Sequence, residues 1–540
     1  MEKMYFNGKI VTVNDQQPLA EALLIEDGRI KAVGDLQTVA AMASAEAERI
    51  DLEGKAVLPG FIDGHSHIGM VTAGMPTVYP SPAGSINSIE DLKEELKRLV
   101  EKNAILDNGW LVALGYDNGF YENEAHPSRA DLDEASTDIP ILVLHASGHV
   151  GVVNSKALEI MGWNKDTLNP EGGVIRKDPE TGEPNGLLEE KAVMAVSFMK
   201  ALVISQETAM ELFMKAQNYY VSFGITTAQD GATTPPIFSL LEEARDRERM
   251  FLDVVCYPMQ EMNPENIEDH SAKAQYHHHL KIGGSKVVAD GSPQAKTAWL
   301  TQPYYRVPEF EAPDYRGYPV YTDEQMVAYC KQCIEHEWQL LVHCNGDAMS
   351  DQYIRTYKKA KEELGSTADL RPVMIHAQTV REDQLDEMKK LGMMPSFFHD
   401  HTFYWGDYHL DSVLGPERGR RISPLKSAVD RDMKFTIHND YAVTPPNMIF
   451  AIHNAVNRKT RAGRDIGPEF AIDVMEAIRS VTIYGAYQYF DEALKGSLEV
   501  GKLADLVILD QSPLDVPKDK IKDIQVLETI KEGTTIYKRA

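Results

Sequence analysis

Between residues 57 and 438 the chain repeats one pattern: a short apolar run, a polar or glycine-rich loop and, in most cases, a stretch with helical spacing. Strands that alternate with helices pair in parallel and are wrapped by those helices, so the pattern predicts an α/β fold. Apolar runs near 57–63, 225–229, 252–257, 285–290, 339–343, 372–376, 393–398 and 434–438 are enough to close a TIM-like (β/α)8 barrel. Asp323 to His336 and Arg381 to Leu391 read as two of its helices. The stretch between the first and second runs is too long for one crossover. It holds helical segments (Ile89 to Lys102, Gln206 to Phe223), a strand (Ile139 to His145) and a Gly/Pro-rich stretch near 169–186. A large insertion over about 70–220, after the first barrel strand, is therefore expected.

Both ends of the chain read as strands. Met4 to Val13 and Ala22 to Val33 are apolar and β-branched, and Glu26-Asp27-Gly28 is a hairpin signal. Leu506 to Leu509, Ile524 to Ile530 and Thr534 to Tyr537 repeat the pattern, with a turn near Gly533. The expectation is a small β-sandwich domain built from both termini, 1–58 plus 491–540, around a barrel domain of 59–490. A net charge of −27 argues against nucleic acid or an anionic membrane as partner. No run of about 18 apolar residues predicts a spanning helix. The first residues carry no basic-then-apolar leader pattern. Four cysteines in 540 residues are sparse, and Cys330-x-x-Cys333 has no second pair at zinc-ribbon spacing, so it reads as structural. The expected setting is a reduced, cytoplasmic one, with a small-molecule substrate and a homodimer as the base-rate assembly.

Chemistry gathers where the apolar runs end. In Pro59-Gly60-Phe61-Ile62-Asp63-Gly64-His65-Ser66-His67 the two histidines are two residues apart. Alternate residues of a strand share a face, so both imidazoles can turn to one metal ion; the other reading is a pair of exposed loop histidines. His343 ends Leu340-Leu341-Val342, His376 ends Val373-Met374-Ile375, and Asp440 follows Phe435 to Asn439. Barrel active sites lie at the carboxyl ends of the strands, so these side chains would ring one mouth. Lys286 lies in the fourth run, Ser285 to Gly291. Its amine either takes up CO₂ as a carbamate that bridges two cations, or pairs with Asp290.

Together, PGFIDGHSH, the lysine of KVVADGS, the histidines of VHCNGD and IHAQ, the aspartate of HNDYAVTPP and the tail GSLEVGKLADL resemble the amidohydrolase superfamily, in particular its amidohydrolase-3 branch. The resemblance implies a metal-dependent hydrolase of C–N bonds other than peptide bonds. One or two divalent ions, zinc for preference, would be held by His65, His67 and Asp440, and by His343 and His376. Lys286 would bridge as a carbamate, and Asp440 would act as the proton acceptor. Ser147 to Val150 with Asn154 resemble a branch motif that approaches the site, which makes His149 a substrate-contact candidate. The run Pro395 to Phe398, with His401, Trp405 to Asp407 and His438-Asn439-Asp440, is similar to the subgroup that includes N-substituted formamide deformylase, and adds His401 and Trp405 as further candidates. Asn439 and Cys344 depart from the branch pattern without removing a ligand. An ester or lactone hydrolase, or a non-catalytic regulatory relative, are the alternatives. The aromatic cluster Phe397, Phe398, Phe403, Tyr404 and Trp405 reads either as a substrate wall or as loop packing. His277-His278-His279 reads as a solvated, helix-like surface, and Asp117 as a loop anchor.

Overall fold

The computed structural model describes residues 2–70, 84, 86–122, 125–146, 148, 150–170, 173–260, 270–308 and 311–540. The chain divides into two compact units. The first comprises Met1–His67, Gln217–Asp440 and Pro446–Ala540, and the second Ile68–Ala216 with Tyr441–Pro445.

The first unit contains the barrel. Its strands are Phe61–Ile62, Ile225–Thr233, Asp253–Pro258, Leu280–Ile282 continued by Gly284–Val288, Gln339–Cys344, Val373–His376, Met394–Phe397 and Thr436–Ile437. Every ladder between neighbours is parallel. The fourth strand is broken at Gly283, so its first half pairs with the third strand and its second half with the fifth. Helices follow as the pattern predicts. Asp323–Glu335 opens on a capping box at Thr322 and Gln325, and Asp347–Leu364 and Glu382–Leu391 follow the fifth and sixth strands. Cys330 and Cys333 are buried on the first of these helices, where they pack as small apolar side chains.

Strands from both termini form one eight-stranded sheet in the same unit. Its order is Thr534–Lys538, Val526–Lys531, Leu506–Leu509, Ala56–Pro59, Glu2–Val11, Leu19–Glu26 and Arg29–Gly34, with Glu48–Asp51 beside Glu2–Val11. The Glu26 to Arg29 turn has Asp27 and Gly28 in the left-handed region, as a two-residue hairpin requires. One face packs Tyr5, Leu23, Ile25, Val57, Leu506 and Ile530. Ala56–Pro59 runs through Gly60 into the first barrel strand, so the segment that leaves this sheet carries His65 and His67 to the rim.

The second unit has its own sheet, in the order Gly173–Lys177, Pro184–Glu190, Val150–Val153, Ile141–His145 and Leu111–Tyr116. Helix Ile89–Glu101, capped by Ser88, buries Leu92, Leu96 and Leu99 in one of its cores. Asp117 anchors a loop as expected: its carboxylate accepts the Gly119 N–H at 2.9 Å. Residues 277–279 differ from the expectation in their backbone, while His277 and His278 are exposed as expected. They form a tight turn rather than a helix, with His278 and His279 both at positive φ and His277 paired to Leu280. His279, half-buried, bonds Asp253 at 2.8 Å, because that carboxylate is buried and needs partners.

Asp253 belongs to a charged layer that contains Lys281, Lys495, Lys531, Asp491 and Asp505, all buried. It pairs with Lys495 and, at 3.0 Å, with Lys531. Burial alone would raise its carboxyl, but the two lysine charges outweigh burial and hold it well below the usual carboxylate range. A depressed carboxyl stabilises the fold above its unfolded pKa and loses that contribution only as pH falls through the folded one. Asp253→Ala should therefore lower the unfolding free energy by about 3 kcal/mol, since it takes a shared carboxylate from two buried ammonium groups and leaves Lys531 with Asp505 and Lys495 with Asp491. Urea unfolding followed by circular dichroism should show that deficit level across neutral pH and shrinking only below about pH 4.

Candidate metal centre

His65, His67 and Asp440 meet at the carboxyl end of the barrel. One donor atom from each lies within 4.8 Å of the others. Asp440 Oδ1 is 3.2 Å from His67 Nε2 and 3.6 Å from His65 Nε2. Lys286 Nζ is 3.3 Å from His65 Nε2. The His343 and His376 rings have centroids 4.5 Å apart, and His376 is 5.5 Å from His65. All six residues inferred from the strand ends thus stand around one rim, and the reading of His65 and His67 as exposed loop histidines falls away: His65 is fully buried.

Local backbone aims two of them. His376 and Asp440 sit at φ 72° and 54°, in the left-handed region that non-glycine residues pay about 1–3 kcal/mol to occupy. Close approach aims others. A Cβ on Gly231 would lie 2.3 Å from His65 Cε1, and a Cβ on Gly64 would lie 2.4 Å from Thr436 Oγ1. Only glycine at these places lets the His65 ring and the eighth strand sit where they do.

The electrostatics suit cation ligation. Burial pushes the imidazoles of His65 and His376 well below their ordinary value, helped at His65 by the Lys286 charge and at His376 by neighbouring imidazoles. Both are neutral, as ligands must be. Burial also draws the Lys286 amine down to about 7. At Asp440 burial raises the carboxyl, but the hydrogen bond and charge of His67 outweigh it and keep the group ionised. The donor set fits a divalent first-row ion: two imidazoles and one carboxylate converge on a point, and His67 Nδ1 is buried with no hydrogen-bond partner to draw the ring away. The second group of metal-competent residues, Asp253 with His279 and Glu532, is filled by lysine ammonium groups and does not compete.

Lys286 does not pair with Asp290. Asp290 instead accepts the backbone N–H groups of Asn345, Gly346 and Trp299 and faces His343 Nδ1 at 3.2 Å, which fixes that ring. Gln229 does the same for His65, with Oε1 2.5 Å from Nδ1. Gln229 and Gly231 carry no metal-ligand chemistry of their own, and the sequence gives no sign of their part. His438 was within reach of the reasoning that found the HxH. It stands two residues before Asp440, as His65 stands two before His67, and its Nε2 is 3.2 Å from His376 Nδ1.

The substrate-contact candidates fare differently. His149 and Ser147 lie outside the described residues. Asn154 is engaged within its own unit, where Oδ1 accepts from Ile141 and Ala157 and Nδ2 donates to Ser136 and Ile139. His401 and Trp405 are buried. The His401 ring packs on Phe398, 4.2 Å away, and Phe398 in turn meets His376 and His438. Gln378 Nε2 lies 3.0 Å from both His401 Nδ1 and His409 Nε2. Phe403 and Tyr404 pack on Phe450, which favours loop packing for that part of the aromatic cluster.

The family model for the amidohydrolase family matches residues 48–537. The chain is 25% identical to an N-substituted formamide deformylase from Arthrobacter pascens, over 99% of this chain and 98% of that protein. It is also 25% identical to a putative amidohydrolase from Bacillus subtilis, over 100% of both chains. Among solved structures, an uncharacterized metal-dependent hydrolase from Pyrococcus horikoshii superposes with a TM-score of 0.76 at 23% identity, covering 96% of this chain and 99% of that one. A second, from Pyrococcus furiosus, gives 0.74 at 24% identity, covering 95% and 100%. These structural likenesses bear on the fold. With the match over nearly the whole chain and metal-competent side chains at the predicted strand ends, the chain is a member of the amidohydrolase family.

Proposed function

We propose that the chain hydrolyses the C–N bond of a small amide, with N-substituted formamides as the first class to test. The observation that carries the reading is the convergence of His65 Nε2, His67 Nε2 and Asp440 Oδ1 on one point, with Lys286 beside it. Its support for formamides is the full-length similarity to a protein named for that activity.

Bound divalent ions, zinc being the best match to an imidazole-rich set, supply Lewis acidity and bring the pKa of a water from about 15.7 towards about 7. His65, His67 and Asp440 would hold one ion, and His343 and His376 a second. Lys286, its amine drawn by burial down to about 7, would offer a further oxygen donor to the ions if it took up CO₂ with loss of a proton. Asp440 is ionised and accepts a proton from the attacking water. The water oxygen bonds to the carbonyl carbon, the C–N bond breaks, and Asp440 returns the proton to the leaving nitrogen. An acid and an amine result. The same arrangement suits an ester or lactone, so a panel that pairs each formamide with its formate ester separates the two readings. The presence of all six metal-competent residues supports a catalyst over a binding relative.

Metal removal by a chelator should abolish formate release from N-benzylformamide, and added Zn²⁺ should restore it; turnover that survives chelation sinks the proposal. Asp440→Asn should lower kcat by about 10²–10⁴-fold, because the amide cannot take the proton. The check is steady-state kinetics beside elemental analysis, which tells loss of the proton acceptor from loss of the ion.

A further inference from the structure

Two of the ligand-candidate imidazoles have an acceptor fixed at Nδ1. Gln229 Oε1 faces His65, and its amide cannot be reversed, because Nε2 donates to the carbonyl of Gly64 at 3.0 Å. Asp290 Oδ1 faces His343. An acceptor at Nδ1 places the proton there and leaves Nε2 with its lone pair. At His376 the partner is another imidazole, His438, whose proton has two possible positions.

The bonds behind His438 decide between them. Gln488 Nε2 is 2.7 Å from the Gly64 carbonyl, which can only accept, so the amide turns Oε1 towards Thr436 Oγ1 at 2.8 Å. That oxygen also only accepts, and the single Thr436 proton goes to it. Ser396 Oγ lies 2.7 Å from Thr436 Oγ1, which has no second proton to offer, so the Ser396 proton points to Thr436. Ser396 is left with lone pairs to face His438 Nδ1 at 2.8 Å, so Nδ1 of His438 carries the proton. Its Nε2 is then an acceptor. Gln488, Thr436, Ser396 and His438 are all fully buried, and reversing any link would set two lone pairs against each other with no solvent to relieve it.

We propose that His438 is a positioning residue of the metal centre: it accepts the Nδ1–H of His376 and so presents His376 Nε2 to the second ion. This rests on the reading of His376 as a ligand. His438 then does for His376 what Gln229 does for His65 and Asp290 for His343. Two of the three supports end on the same oxygen, the carbonyl of Gly64.

Two variants of the full chain separate this role from simple packing. His438→Phe keeps a ring and loses the acceptor, whereas His438→Gln keeps an acceptor oxygen. Zn²⁺ affinity by chelator competition, with metal content measured alongside, should show the second ion bound about 10–100-fold more weakly in His438→Phe and largely restored in His438→Gln, with the first ion unaffected in both. Nitrogen-15 histidine spectra of the metal-free protein should show His438 protonated at Nδ1, and Ser396→Ala should disturb that resonance. An Nε2-protonated His438, or a His438→Phe protein that binds both ions as tightly as the parent, overturns the inference and leaves the proposed activity standing. A parent protein that binds no second ion overturns the reading of His343 and His376 as ligands, and this inference with it.

Discussion

Parallel pairing in one register is the constraint on which the site depends. Val288 lies opposite His343, Cys344 opposite His376, and His376 opposite Phe397, which in turn faces Ile437. Because each strand runs the same way, the residue at its carboxyl end reaches the same rim as its neighbour's. Side chains far apart in the chain thereby become neighbours without any local sequence relation. A slip of one residue in a single ladder would turn that strand's ligand to the opposite face.

The rim brings imidazoles together, but neutrality and orientation make them usable. Burial removes the charged form of His65 and His376 and draws the Lys286 amine towards its neutral form, while His67 keeps Asp440 ionised. Orientation comes from behind. Gln229, Asp290 and His438 each meet a ring nitrogen, and the Gly64 carbonyl ties two of those supports to the strand that carries His65 and His67. Gly64 therefore has two duties: its missing side chain admits Thr436, and its oxygen anchors the supports.

Much of this was legible in the linear chain because it follows short-range rules. Two-residue spacing put His65 and His67 on one face, and an apolar run ending in histidine located His343 and His376. The same rule applied to His438 and Asp440 locates a fifth imidazole, two residues before the acid. His277 and His278 are exposed as expected, but the backbone there turns instead of coiling, and the neighbouring buried carboxylate of Asp253 holds His279. Gln229, Ser396, Thr436 and Gln488 were out of reach, since an amide or hydroxyl acquires a role only from the group set opposite it.

The sequence alone determined the order of strands and helices, the metal-competent residue types and the strand ends that carry them, because hydrophobic periodicity and residue chemistry are local. Only the tertiary structure decided which nitrogen of each imidazole is free, why Lys286 stands by His65 rather than Asp290, and why glycine is required at 64 and 231. Those outcomes depend on hydrogen-bond polarity and close approach between strands, and neither exists until the barrel has closed.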